Sequence, residues 1–275
     1  MKIHHTPIGV PEFEPHPLRD RLDPSLLGRF DFSATGDMPR MLWKYARRRE
    51  ISEADYGGRL SVTFPCFHRC PLDIHVQLRG YEGFAEDTAC RSAELHAVLE
   101  HLVDERLRFA REHQRFLGEA SLPATTFVAD DWVNVPFISP ALFRDFVMPL
   151  RRRIRAEEGP PRGFHTCGNM EPVAMDLVSV FPEIRMLEVS PGNDAAALDA
   201  LLPARVGFVA SVVNTVTLGG SGAEQASKLL PILDAARRRT VHLVAQAIER
   251  IPATYEETFA RLNGFLGLAR MVLHA

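Results

Sequence analysis

The sequence predicts an α/β protein and, within that class, a (β/α)8 barrel of the TIM type. From about residue 59 onward, short apolar runs alternate with amphipathic helical segments six times, which is typical of a parallel sheet covered by helices. A length of 275 residues suits a single barrel. No G-x-G-x-x-G or Walker A stretch follows a predicted strand, which disfavours the alternative, an open doubly wound sheet.

The N-terminal part of the chain differs from the rest. It is rich in Pro, Asp and Arg and shows weak periodicity until the short helix predicted in "MPRMLWKYARRRE". We therefore interpret residues 1–45 as an irregular lead-in and residues 46–275 as the barrel domain. The strands that would complete an eight-stranded barrel either lie in this lead-in or are absent.

Each predicted strand is an apolar run that ends in polar residues. The six runs are RLSVTFPC (59–66), TTFVADDW (125–132), RGFHTCGN (162–169), IRMLEVSPGND (184–194), RVGFVASVVNT (205–215) and TVHLVAQAIERI (240–251). They are short enough to be strands, and helical segments separate them. Their order along the chain predicts repeated β–α units.

The intervening helices show the period of 3.6 residues. In the segment 91–117, Leu95, Leu99 and Leu102 recur at three- and four-residue spacing, so one face belongs to the core. Ser139 and Pro140 are an N-cap residue and a first helical residue, a strong signal for the start of a helix. The remaining helices are predicted at 170–181, 195–202, 222–238 and 254–273.

Composition excludes several functional classes. The chain is 46% hydrophobic and 24% charged, with a net charge of −3 and a pI near 6.4, so it has no electrostatic footprint for nucleic acid. No run approaches the ~18 uncharged apolar residues of a spanning helix, and the N-terminus lacks the apolar core of a signal peptide. Four cysteines are too few for a disulfide scaffold. We expect a cytoplasmic protein without a nucleic-acid or membrane partner.

In a barrel, chemistry sits at the carboxyl ends of the strands. The most informative residues there are His165 and Cys167. Residues i and i+2 of an extended segment point the same way, so an imidazole and a thiolate can share one ion, and zinc accepts this mixture while keeping one position open in catalytic sites. Gly168 permits a sharp turn after them. The alternative is a half-buried histidine beside a buried cysteine.

The segment "CFHRC" (66–70) offers further ligands. Cys66, His68 and Cys70 place two thiols and an imidazole within five residues. Alternatively, Cys66 ends a strand in the core and Cys70 caps the loop.

Two carboxylates, Asp130 and Asp131, follow the second predicted strand. Like charges this close can raise the pKa of one of them, which suits a proton donor or acceptor. The alternative is a loop that caps a helix. Trp132 either forms an apolar wall for a flat ligand or packs in the interior.

Four stretches together carry a family resemblance. They are DIHVQLRGYEGF (73–84), DDWVNVPFISPALFRDFVMPLRRRI (130–154), FHTCGN (164–169) and PATYEETFARL (252–262), and with their spacing they cover most of residues 60–265. The chain thereby resembles the uroporphyrinogen decarboxylase superfamily. It is nearer to the cobalamin-dependent methyltransferase branch, which has His-x-Cys zinc ligands, than to the metal-free decarboxylases, which generally lack this pair.

The resemblance implies a zinc-dependent methyltransferase that moves a methyl group between a corrinoid and a metal-activated thiol. His165 and Cys167 would bind zinc, and Asp131 would position the substrate or handle a proton. The corrinoid would arrive on a separate carrier protein, and the substrate would be a small thiol or a methylated compound. The residues expected to line the substrate site are Cys66, His68, Asp130, Trp132, Glu188 and Gln246.

The chain departs from this branch at the third zinc ligand. Where the methyltransferases supply a cysteine from a "PGCG"-like turn, this sequence has Gln246 and Ala247. The missing thiolate is replaced by Glu188 or by one residue of "CFHRC", or the site no longer binds zinc tightly. Two alternatives stay open: a metal-independent decarboxylase that uses Asp131, and a non-catalytic tetrapyrrole- or corrinoid-binding protein.

Overall fold

A computed structural model describes most of the chain. It covers residues 2–4, 12–29, 31–64, 68–118, 127–132, 134, 136–212, 216, 219–245 and 254–274. Within these ranges, no helix has the length and apolar character needed to span a bilayer.

Six parallel strands form the main sheet. In chain order they follow a short antiparallel hairpin, β1 (Lys2–His4) with β2 (Glu12–Glu14). The six are β3 (His68–Arg69), β4 (Phe127–Ala129), β5 (Gly163–His165), β6 (Met186–Val189), β7 (Gly207–Val212) and β8 (Val241–Ala245). Each strand pairs with the next one along the chain, so the spatial order is β3-β4-β5-β6-β7-β8.

This strand order decides between the two predicted architectures. A doubly wound sheet reverses its strand order at a switch point, whereas a barrel winds in one direction. The described sheet shows no reversal, so the winding is that of a TIM-type fold and the doubly wound alternative is wrong. The sheet of the described residues has six of the eight strands that a (β/α)8 barrel would contain. The hairpin β1–β2 belongs to a separate sheet.

Helices cover the sheet between the strands. They are α1 (Met38–Tyr56), α2 (Pro71–Arg79), α3 (Tyr81–Cys90), α4 (Ser92–Leu117), α5 (Pro140–Leu142), α6 (Met148–Glu158), α7 (Ala174–Val180), α8 (Ala195–Leu201), α9 (Gly222–Ala235) and α10 (Tyr255–His274). A π-helical turn, Phe143–Val147, joins α5 to α6.

Several predicted elements are confirmed. Helix α4 matches the predicted segment 91–117, and Leu95, Leu99 and Leu102 are buried. Ser139 is the N-cap of α5, where its side chain accepts a hydrogen bond from the backbone N–H of Leu142. The alternation of strand and helix holds throughout the main sheet.

The first predicted strand is displaced. Residues 59–64 form no strand, and β3 begins only at residue 68. Phe64 instead packs into a cluster of aromatic rings with Phe32 and Tyr45, at centroid distances of 6.4 and 5.4 Å. Phe32 also contacts Phe109 of α4 at 5.0 Å, so the cluster packs the lead-in against this helix. The predicted domain boundary after residue 45 falls inside α1.

A buried ion pair ties the N-terminal edge of the sheet to two helices. Arg106 of α4 donates from Nε and Nη2 to both carboxylate oxygens of Glu158, at 3.0 and 2.8 Å, and from Nη1 to the carbonyl of Arg69, at 3.0 Å. Both side chains are about 4% exposed. The same two helices share an exposed pair, Arg111 with Glu157, at 2.7 Å.

We predict that Arg106→Ala lowers the free energy of unfolding by about 3–5 kcal/mol, because a buried carboxylate loses its guanidinium partner. Arg111→Ala removes the exposed pair of the same helices and should cost less than about 1 kcal/mol. Urea denaturation of both variants measures the difference. Equal losses in the two variants would contradict this account.

Candidate metal centre

The candidate site lies at the carboxyl ends of the central strands. His165 is the last residue of β5, and Cys167 follows two positions later. Asp131 follows β4 by two positions, and Glu188 lies in β6. Parallel pairing of β4, β5 and β6 brings these ends to one edge of the sheet, which is where active sites of this architecture lie.

Three side chains converge on a common point. His165 Nε2 lies 3.0 Å from Asp131 Oδ1 and 3.5 Å from Cys167 Sγ, and Sγ lies 3.3 Å from the same Oδ1. The three could hold one metal ion. Ordinary zinc bond lengths and tetrahedral angles place N, O and S ligands about 3.3–3.6 Å apart. The observed separations fall within a few tenths of an ångström of those values.

The other side of the imidazole is held by Glu188. His165 Nδ1 contacts Glu188 Oε2, and Ser211 of β7 donates to Glu188 Oε1 at 3.2 Å. Histidine ligands of metals usually donate their second N–H to a carboxylate in this way, which fixes the tautomer and the ring orientation. Glu188 is therefore placed behind the imidazole, on the side away from Asp131 and Cys167.

The two flanking carboxylates control the charge of His165. Burial alone would lower its pKa, but hydrogen bonds with Asp131, Cys167 and Glu188 outweigh this and raise the pKa to about 12. The same contact with His165 lowers the pKa of Asp131. Without a metal ion, the site therefore contains an imidazolium between two carboxylates. A divalent cation would take the place of the proton on Nε2.

Close packing of Gly168 against the side chain of Asn134 constrains the segment after His165. A Cβ atom on Gly168 would lie 1.9 Å from Oδ1 of Asn134, so only glycine fits there. The carbonyl of Gly168 accepts hydrogen bonds from Ser190 Oγ and Asn193 Nδ2, both at 2.9 Å. The φ angle of Gly168 lies outside the left-handed region. Glycine is therefore required here by the limited space beside Asn134, whereas the sequence predicted a sharp turn.

Asp131 is held from the side opposite His165. Arg69 Nη1 lies 2.9 Å from Asp131 Oδ2 and 3.6 Å from Oδ2 of Asp73. The buried carboxylate of Asp73 accepts the backbone N–H groups of Asp131 and Trp132, at 2.8 and 2.9 Å. Burial raises the pKa of Asp73 to about 6, although these two hydrogen bonds oppose the shift. The sequence does not indicate a role for Arg69 or Asp73 at this site, because no local pattern shows which distant backbone a side chain will hold.

Asp130 does not face the candidate centre. Its carboxylate is fully buried and forms an ion pair with Arg151, whose guanidinium lies over the ring of Phe164 at 5.6 Å. Asp130 directly follows β4 and Asp131 lies in the turn after it, and the two side chains have different partners, Arg151 for Asp130 and His165 for Asp131. The predicted place of Asp130 among the substrate contacts therefore lacks support from the geometry.

Trp132 belongs to an aromatic cluster beside Asp131. Its ring stacks on Tyr81 at 5.5 Å and meets Phe137 edge-on at 4.7 Å. Tyr81 and Phe137 remain 38% and 39% exposed. Both alternatives considered for Trp132 therefore apply. Its ring packs against two other rings, and the cluster presents an apolar surface next to the site.

The remaining predicted residues are Cys66, His68, Cys70 and Gln246. Cys66 and Gln246 lie outside the described residues. The backbone of His68 forms β3, while Cys70 is fully buried in the core and precedes α2. Among the described residues, the third member of the metal-ligand cluster is thus Asp131.

A cavity of about 600 Å3 lies next to the site. It is lined by Val189 and Val212 at the strand ends, by the loop 190–194 and by residues of α9. This volume is in the range of small-molecule sites, about 300–1,000 Å3. Ser211 lines the cavity and also donates to Glu188, so the cavity wall reaches the partner of His165.

The fold has a known counterpart. The chain superposes on a methyltransferase from Methanosarcina mazei with a TM-score of 0.65 at 18% sequence identity, over 100% of this chain and 76% of that one. At this identity the similarity establishes a common fold. No protein-family model matches the sequence, and neither does any curated protein. Fold and site together define an α/β protein of TIM type with a candidate metal centre.

We predict that His165 is doubly protonated at pH 8 in the metal-free protein, because Asp131 and Glu188 flank its two ring nitrogens. Its raised pKa means that the charged form persists far above the pH at which an ordinary histidine, with a pKa near 6.5, becomes neutral. The chemical shifts of its ring nitrogens in 15N NMR report this state directly. Glu188→Gln should lower the pKa of His165, and a neutral ring at pH 8 in the unaltered protein would refute the assignment.

Proposed function

We propose that this protein is a zinc-dependent methyltransferase that moves a methyl group between a corrinoid and a thiol substrate. One observation carries the proposal: Asp131, His165 and Cys167 converge with the spacing of three zinc ligands at the carboxyl end of a parallel sheet. The fold shared with a methyltransferase and the resemblance of the "HTCGN" segment to corrinoid-dependent enzymes support the reaction type.

The donor set suits zinc. Zinc binds imidazole nitrogen, thiolate sulfur and carboxylate oxygen, and catalytic sites use three protein ligands with one open position. In this chain a carboxylate, Asp131, takes the role that the related methyltransferases give to another cysteine. Both groups carry one negative charge, so the substitution preserves the charge balance around a divalent ion. Gln246 therefore need not supply a ligand.

Zinc bound in such a site lowers the pKa of a coordinated thiol, so that the substrate reacts as a thiolate. The protein contributes orientation. Glu188 holds His165 Nδ1, which leaves Nε2 directed at Asp131 and Cys167. Ser211 in turn holds Glu188. This chain of contacts keeps the imidazole aimed at the reaction site.

Asp131, His165 and Cys167 would hold the zinc ion, which would supply a thiolate acceptor, and the corrinoid would supply the methyl group. Cys167 is exposed, so the sulfur side of the cluster is accessible to a partner. The corrinoid would be supplied by a carrier protein that docks over the carboxyl ends of the strands.

The aromatic cluster is the proposed contact for the methyl donor. Trp132 directly follows Asp131, and its ring forms a continuous surface with Tyr81 and Phe137. Aromatic faces suit a flat, largely apolar group. We therefore assign Trp132 to binding of the donor.

We predict that the purified protein contains about one zinc per chain and that His165→Ala and Cys167→Ser abolish this content, because each removes one of the three ligands that converge among the described residues. Cys90→Ser, which alters an exposed cysteine at the end of α3, is the matched control and should retain zinc. Elemental analysis measures the content, and methyl transfer from methylcobalamin to small thiols measures the activity.

The outcomes of these assays are distinct. Stoichiometric zinc with methyl transfer supports the proposal. Metal-free protein that releases carbon dioxide from a carboxylated tetrapyrrole would replace it with the decarboxylase alternative. A corrinoid complex detected by visible absorbance, without turnover or zinc, would indicate a binding protein.

We predict that Trp132→Ala raises KM for the methyl donor about two- to tenfold and leaves zinc content unchanged, because it removes an apolar contact but no metal ligand. Contacts between aromatic rings are typically worth about 0.5–1.5 kcal/mol beyond the area they bury, which corresponds to this range. Trp43→Ala, at a 66% exposed tryptophan on α1, is the control and should leave KM unchanged. An unaltered KM in Trp132→Ala would remove Trp132 from the donor site.

A further inference from the structure

We infer that Arg69, together with Asp73, is a positioning residue that presents a single oxygen of Asp131 to the metal centre. The inference rests on the proposed function, because it concerns how Asp131 serves as a ligand. Arg69 ends β3, and Asp73 lies in the first turn of α2, so the adjacent end of the sheet reaches across to the loop after β4.

The two oxygens of Asp131 have different partners. Oδ2 pairs with Arg69 Nη1 at 2.9 Å. Oδ1 faces His165 Nε2 at 3.0 Å and Cys167 Sγ at 3.3 Å. Arg69 therefore occupies one oxygen and leaves the other directed at the imidazole and the thiol. The carboxylate has one free ligand atom instead of two.

Asp73 fixes the backbone from which Asp131 extends. Its carboxylate is fully buried, and each of its oxygens accepts one of two consecutive backbone N–H groups, those of Asp131 and Trp132. Hydrogen bonds to a charged acceptor are stronger than those between neutral groups. The turn after β4 is thus held at the point where the ligand side chain begins.

Arg69 also separates two carboxylates that would repel each other. Its guanidinium lies between Asp131, at 2.9 Å, and Asp73, at 3.6 Å. Arg69 is itself held in place, since its carbonyl accepts a hydrogen bond from the buried Arg106. Without this cation, we expect the Asp131 carboxylate to rotate away from Asp73 and from its contact with His165.

An electrostatic role and a positioning role of Arg69 predict opposite changes in zinc affinity when Arg69 is removed. A guanidinium next to a cation site repels a divalent ion, so removal of its charge alone would tighten zinc binding. If Arg69 instead positions Asp131, its removal weakens zinc binding, because outer partners of metal ligands typically contribute about 10–100-fold to affinity. The sign of the change therefore separates a positioning role from a purely electrostatic one.

The test compares zinc affinity of the full chain, measured by competition with a chromophoric chelator, in three variants. Arg69→Gln should weaken affinity about 10–100-fold. Arg69→Lys keeps the charge but loses the planar fork, and it should fall between Arg69→Gln and the unaltered protein. Arg144→Gln breaks an exposed pair of equal length, Arg144 Nε to Asp176 Oδ2 at 2.9 Å, and should change nothing.

Unchanged or tighter zinc binding in Arg69→Gln would overturn the inference while the proposed function stands. A second readout does not need the metal: the crystal structure of metal-free Arg69→Gln. We expect Asp131 Oδ1 to leave its 3.0 Å contact with His165 Nε2. Retention of that contact would also overturn the inference, and this holds even if the unaltered protein binds no zinc and the proposed function fails.

Discussion

The orientation of one imidazole ring governs the candidate centre. His165 has a carboxylate at each ring nitrogen, Glu188 at Nδ1 and Asp131 at Nε2. Because Glu188 occupies Nδ1, the ring can offer only Nε2 to a ligand, and that nitrogen points at Cys167. If Glu188 released the ring, the imidazole could turn, and the three donor atoms would lose their common point.

Further contacts hold the two carboxylates that orient this ring. Ser211 holds Glu188 from β7, and Arg69 and Asp73 hold Asp131 from the neighbouring edge of the sheet. Burial of a charged group lowers the stability of the fold unless an opposite charge pairs with it. The sheet satisfies this condition by joining opposite charges across strand ends, and Arg106 extends the network to Glu158. The candidate centre is therefore continuous with the ion pairs that hold the helices on the sheet.

Asp131 shows how the site can be completed without a second cysteine. A carboxylate has the same charge as a thiolate but is a harder ligand, and it offers two oxygens in place of one sulfur. Because Oδ2 pairs with Arg69, Oδ1 is the oxygen directed at the metal centre. In the proposed zinc site, the carboxylate ligand and Arg69 thus belong to one arrangement.

The sequence by itself determined the alternation of strands and helices, the N-cap at Ser139 and the shared side of His165 and Cys167, because these depend on periods of 2.0 and 3.6 residues and on local turn chemistry. It also located two carboxylates at the end of β4. Only the tertiary structure decided that Asp131 joins the cluster while Asp130 pairs with Arg151, and that Arg69 and Asp73 hold Asp131. The reason is physical: these choices depend on contacts between residues from about 20 to 60 positions apart, and such contacts leave no periodic trace in the chain.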